Sequence, residues 1–146
     1  MRLGQIMGRY DASMSDTPPW QTELGNLKRV LELLDNAVGL AQSRTLNHVE
    51  ILGLIKAFDL CYELAWRALR DLLRNTNPTM RGSRDVFRVA LHYGLLEDGD
   101  MWMKMVDSRS RTMYVYDESV ARDLSRAIAS DYLPLLKDLV EFLRDL

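Results

Sequence analysis

The sequence predicts an all-α protein, an up-and-down bundle of four to five helices. Three observations predict it: apolar residues recur at alternating spacings of three and four, helix start and stop signals bracket those stretches, and no segment alternates as a strand does. There is no internal repeat.

Residues 1–19 mix Gly, Ser, Asp and Pro without periodicity and close at Pro18 and Pro19, which reads as a flexible lead-in. The rest, 20–146, reads as one helical-bundle domain, because 146 residues is a one-domain length. From Trp20 onward, Leu24, Leu27, Leu31, Leu34, Val38 and Ala41 form one apolar stripe, predicting a helix over 20–42. In LNHVEI, Asn47 can cap a second helix and Glu50 can complete a capping box, with Leu46 and Ile51 as a hydrophobic staple. That helix carries Ile51, Leu54, Ile55, Phe58, Tyr62, Ala65, Leu69 and Leu72 on one face and ends near Asn75. Ser83 starts a third helix, stopped by Gly94, and a short helix then carries Met101, Trp102, Met105 and Val106. A last helical region begins about Asp117, with Val120, Leu124, Ala127 and Ile128 inward. Pro134 interrupts it, predicting a kink near Tyr132 and a fresh apolar face from Leu135, Leu136, Leu139, Phe142 and Leu143.

A chain that is 47% hydrophobic and 27% charged folds rather than staying disordered. Its net charge of −2 excludes a surface that is nucleic-acid footprint throughout, so any phosphate or RNA contact must be local. Among 19 basic residues only Lys28, Lys56, Lys104 and Lys137 are lysines; the arginine forks that dominate suit carboxylates and phosphates. The single cysteine, Cys61, rules out an internal disulfide, and with His48 and His92 far apart a metal site has little material. Neither histidine has a partner at a catalytic spacing. No apolar run approaches the roughly 18–20 residues of a membrane span, and no signal-peptide core is present, so the expected compartment is the cytoplasm.

Four clusters invite a chemical reading. MWMKM (101–105) has the composition of a soft ligand surface, but its helical spacing favours core or a dimer contact. Glu63, beside Tyr62 and Trp66, reads either as a carboxylate buried against an arginine or as a partly exposed neighbour of core aromatics. Arg81, Arg84 and Arg88 line one face of the third helix and its approach, either to bind phosphate near the helix N-terminus or to form a solvated face paired with Asp85. The fourth is RSRTMYVYDE (109–118). Arg109 and Tyr114 are five apart, and Tyr114 and Tyr116 two apart, so no single helical face holds them. The segment makes sense as a junction, with Arg109 ending one helix and the tyrosines opening the next.

The segments LCYELAWRALRDLLR (60–74), GSRDVFRVALHYGLLEDGDMWMKMVDSRSRTMYVYDESVA (82–121) and DYLPLLKDL (131–139) closely resemble the HepT-like HEPN proteins, also described as nucleotidyltransferase substrate-binding proteins. The resemblance runs from Trp20 to the C-terminus. It implies a HEPN-like bundle that forms homodimers and works beside a minimal nucleotidyltransferase. In toxin–antitoxin pairs of this family, the HEPN subunit is a metal-independent ribonuclease with an R-x4-H-x-Y motif. The nucleotidyltransferase silences it by transferring AMP from ATP to the motif tyrosine.

Placed on this sequence, the motif arginine is Arg109, the motif tyrosine is Tyr116, and Tyr114 stands where the histidine belongs. Histidine exchanges a proton near neutral pH, whereas tyrosine, with an ordinary pKa of about 10, would have to fall by about three units to do the same. The resemblance therefore implies a degenerate R-x4-Y-x-Y motif in a partner subunit, with Tyr116 as AMP acceptor. The alternatives are an active ribonuclease toxin using Arg109, Tyr114 and Tyr116, or a subunit presenting a small molecule near Arg84, Arg88 and Arg109. Arg84, Arg88 and Arg111 are the expected nucleotide or RNA contacts. No cofactor or metal is expected on this chain; ATP and magnesium belong to the partner enzyme.

Overall fold

Two prolines open the first helix. The computed structural model describes residues 17–76 and 79–146, so most of the expected lead-in lies outside the described residues. Helix α1 runs Pro19–Ser43 with proline in its first turn, where the missing N–H has no intrahelical partner to lose. Its buried face is Trp20, Leu24, Leu27, Leu31, Leu34 and Val38, the predicted stripe save Ala41, which is half-buried.

Helix α2, His48–Leu73, starts at the predicted capping box. The Asn47 side chain accepts from the Glu50 N–H at 2.8 Å and the Glu50 carboxylate accepts from the Asn47 N–H at 2.9 Å. Leu46 and Ile51 are both buried, as the staple requires. This helix buries residues around most of its circumference, among them Phe58, Cys61, Tyr62, Ala65 and Leu69, because α1 and the later helices cover it from several sides. It is the central element.

Helix α3, Ser83–His92, buries Val86, Phe87 and Ala90 against α2. It ends at Gly94, whose φ of 75° lets the Leu95 N–H reach the Ala90 carbonyl at 2.9 Å and the Gly94 N–H reach Leu91 at 3.1 Å. Helix α4, Gly99–Arg109, follows, with Asp98 at its N-cap in the left-handed region. A 3-10 turn, Ser110–Tyr114, leads to α5, Glu118–Ala127, capped by Asp117.

Where the kink is predicted, the helix carries a π turn, Ile128–Tyr132, between α5 and α6, Leu133–Arg144. Pro134 has no N–H to offer the Ser130 carbonyl, and the Leu133 N–H bonds the Ile128 carbonyl instead, five residues back. The turn restarts the apolar face, so Leu136, Leu139, Val140 and Leu143 are buried and α6 packs on α1 and α2. Among the described residues there is no strand, and no helix is long and apolar enough to cross a membrane.

One chain of aromatic contacts runs through the core. Tyr132 stacks on Phe58 at 5.7 Å, Phe58 meets Tyr62 at 6.3 Å, Tyr62 meets Phe87 edge-on at 5.5 Å, and Phe87 meets Trp102 at 4.9 Å. Trp102 and Met105 are buried and Met101 and Met103 half-buried, so MWMKM is core. Glu63 accepts from the Trp66 indole N–H and lies 3.9 Å from Arg67 at the surface, the blander of its two readings.

Candidate functional site

Arg109 is the last residue of α4, and two buried hydroxyls hold that helix end in place. Ser108 Oγ and Tyr132 Oη lie 2.5 Å apart, tying α4 to the π turn. Ser110 Oγ and Thr112 Oγ1 donate to the Asp107 and Arg109 carbonyls at 2.7 and 2.9 Å, satisfying groups the ending helix would leave open. The Arg109 side chain turns inward toward α2. Its Nε stands 3.3 Å from Asp59 Oδ1, its guanidinium lies 5.6 Å from the Tyr62 ring centre, and Nη1 donates to Thr112 Oγ1 at 3.3 Å.

Asp59 Oδ1 and Arg109 Nε are an ion pair without hydrogen-bond alignment, since neither buried atom completes a hydrogen bond. Burial pushes the Asp59 carboxyl above its ordinary pKa, against the opposing pull of Arg109 and Lys56. Burial likewise raises the Tyr62 phenol, opposed by its 2.7 Å hydrogen bond to Ser83 Oγ and by the Arg109 and Arg84 cations. Arg84 bridges from α3 to Asp107 on α4 at 2.5 Å and touches the Met103 sulfur at 3.9 Å. Arg109 and Arg84 thus converge on Tyr62, a residue that sequence periodicity marks only as core.

Arg88 and Arg111 are elsewhere. Arg88 lines a hollow of about 230 Å³ with Thr79, Met80, Asp85 and Val89, which neither Arg84 nor Arg109 lines. The expected pairing of the arginine row with Asp85 takes another form: Asp85 Oδ2 accepts from the Arg81 backbone N–H at 3.1 Å, and Arg84 chooses Asp107. Arg111 is exposed in the 3-10 turn.

The tyrosines do not open the next helix. Tyr114 closes the 3-10 turn and Tyr116 lies in the connection, because Asp117, two residues before Ser119, takes the N-cap. Tyr114 is 56% exposed and Tyr116 76%, beside Met113 at 78%. The Asp117 carboxylate accepts from the Ser119 hydroxyl at 2.7 Å and from the Ser119 N–H at 2.9 Å. These bonds, the Val120 amide and the nearby His48 hold it below the usual carboxylate range. From the start of α2, His48 Nε2 meets the Val115 carbonyl at 2.8 Å. No spacing in the sequence joins residues 48 and 115; Asp59 had a faint signal, three residues before Tyr62 on one helical face. Among the described residues, no three His, Cys, Asp or Glu side chains gather to hold a metal ion.

The six α-helices of the described residues and the arginine–tyrosine junction between α4 and α5 define a class of all-helical modules. A solved structure from Haemophilus influenzae, described as the fold of a substrate binding domain of a nucleotidyltransferase, superposes with a TM-score of 0.74. It is 26% identical, and the match covers 83% of this chain and 98% of that one. A Haemophilus influenzae protein described as probable ribonuclease HepT is 30% identical over 99 residues, 64% of this chain and 67% of the relative. The family model described as nucleotidyltransferase substrate binding protein like matches residues 22–145. The chain belongs to that family, the HepT-like HEPN group that its residues resemble.

Proposed function

We propose that this protein is the HEPN partner subunit of a minimal nucleotidyltransferase in a toxin–antitoxin-type pair, acting in the cytoplasm as a homodimer, with Tyr116 accepting AMP. The observation that carries this reading is the exposure of Tyr116, 76%, in the connection between the 3-10 turn and α5. In the transfer, the Tyr116 hydroxyl oxygen bonds the α-phosphorus of ATP as the bond to the β-phosphate oxygen breaks. Pyrophosphate leaves, and the phenolic proton passes to a base of the partner enzyme or to water. Magnesium and ATP are brought by the partner, and this chain supplies the acceptor.

Arg109 fits a retained scaffold better than a working ribonuclease centre. A ribonuclease needs that cation on a phosphate, whereas here Asp59 and the Tyr62 face already engage it. Tyr114, in the histidine position, projects into solvent. The test is intact mass after co-expression with a minimal nucleotidyltransferase of the same organism, against expression alone and a Tyr116→Phe variant. A gain of AMP units that vanishes in the variant is expected; an unchanged wild-type mass overturns the acceptor role. Growth arrest by the chain alone, abolished in Arg109→Ala, would replace it with the ribonuclease reading.

A further inference from the structure

The connection bearing both tyrosines is held by the half-buried Val115 side chain, which packs against the core, and by few hydrogen bonds. The 3-10 turn buries no residue. Its hydrogen bonds are mostly to neighbours: Ser110 to Asp107, Thr112 to Arg109, and the Asp117 N–H to the Tyr114 carbonyl at 3.1 Å. Among the described residues, the one hydrogen bond that ties residues 110–117 to a distant element is His48 Nε2 to the Val115 carbonyl, at 2.8 Å across 67 residues.

The chemistry of that contact is one-sided. A carbonyl only accepts, so His48 Nε2 carries the proton, a condition met by both the neutral Nε2–H tautomer and the imidazolium. His48 is also the first residue of α2, directly after the capping Asn47. The ring is therefore delivered from a helix end whose backbone is already locked by the box with Glu50. Val115 lies between Tyr114 and Tyr116, so whatever fixes its peptide fixes the directions in which both tyrosines leave the chain.

We propose that His48 is a positioning residue that pins the Val115 peptide and so presents Tyr114 and Tyr116 to a partner. Its consequence for nucleotide transfer rests on Tyr116 being the acceptor; its consequence for the backbone does not. The Asp117 amide, hydrogen-bonded to Tyr114 across the pinned peptide, is the local reporter.

The experiment is hydrogen–deuterium exchange at that amide in the full chain as wild type, His48→Phe and His48→Gln. Phenylalanine keeps a planar ring without the donor. Glutamine places an amide N–H the same number of bonds from Cβ as Nε2. The expected result is exchange about fivefold faster in the phenylalanine variant, the worth of one net hydrogen bond, and recovery in the glutamine variant. The core amides of α2 should stay equally protected in all three. Wild-type exchange in His48→Phe, or no recovery in His48→Gln, overturns the proposal. In parallel, the rate of AMP gain should fall and recover in the same order. A wild type that gains no AMP overturns the acceptor reading and leaves the exchange result to decide the role of His48.

Discussion

At the residue scale, Asp59 shows how burial and charge compete. Its carboxyl sits between α2 and the end of α4, with an arginine 3.3 Å away, yet desolvation outweighs the attraction and its pKa rises. A carboxyl whose folded pKa lies above its unfolded value prefers its proton in the fold. Its contribution is therefore full below the ordinary carboxylate pKa and is lost as pH rises through the folded one. Asp59→Asn, which cannot titrate, should become more stable relative to wild type as pH is raised from about 4 to about 7. Thermal midpoints of the two proteins across that range check it; a constant difference would mean that Asp59 titrates as an ordinary carboxylate. The sequence offered Arg109 through its resemblance, but not the partner that holds it. Asp59 is one acidic residue among 21, and only the approach of α4 to α2 selects it.

At the element scale, the start of α2 is the most legible piece of the molecule and also supports the junction through His48. Asn47, Glu50, Leu46 and Ile51 act locally, within five residues, so their roles could be read from spacing. Removing the cap with Asn47→Ala should cost about 1 kcal/mol, measured by urea unfolding with an unchanged m-value. Glu50 also pairs with Arg44, and that hydrogen bond, with the Asn47 amide, pulls its carboxyl down to about 2. The sign is opposite to that of Asp59: a depressed pKa contributes stability above the unfolded value, lost as pH falls toward the folded one. Thermal midpoints of wild type should thus drop between pH about 4.5 and about 2 by more than those of Glu50→Gln. Equal drops would show that the Arg44 contact is absent in solution. The junction was less legible. The sequence pointed to a break after Arg109, but its form, a 3-10 turn ending at Tyr114 and a new cap at Asp117, depends on which of several polar residues captures the free amides.

At the scale of the whole molecule, the aromatic chain from Tyr132 to Trp102 connects the π turn, α2, α3 and α4 beneath Arg109. Phe87, fully buried, sits between Tyr62 and Trp102. Phe87→Ala should cost about 3–5 kcal/mol, a large share of the ~5–15 kcal/mol that stabilises a domain of this kind, and its urea midpoint should fall accordingly. A fall of only a few tenths of a kcal/mol would mean that the core closes over the gap. The proposed homodimer is tested at this scale too. Met113 is 78% exposed, and a partner copy seated there would cover it. Sedimentation should give twice the 16.9 kDa chain mass for wild type and single chains for Met113→Asp; a wild-type monomer would remove dimerisation from the proposal. On α5 Ala121 is buried where Val120 is expected, but by itself the sequence determined the helices, most of their inward faces, the cap of α2 and the interruption at Pro134. These follow from period, local hydrogen bonding and the chemistry of proline within a few residues of each other. Only the tertiary structure decided that Arg109 faces Asp59 and Tyr62, that Arg84 meets Asp107 while Arg88 lies apart, and that His48 reaches Val115. Such contacts join residues 23 to 67 positions apart, and their partners are selected by helix packing, which no local spacing records.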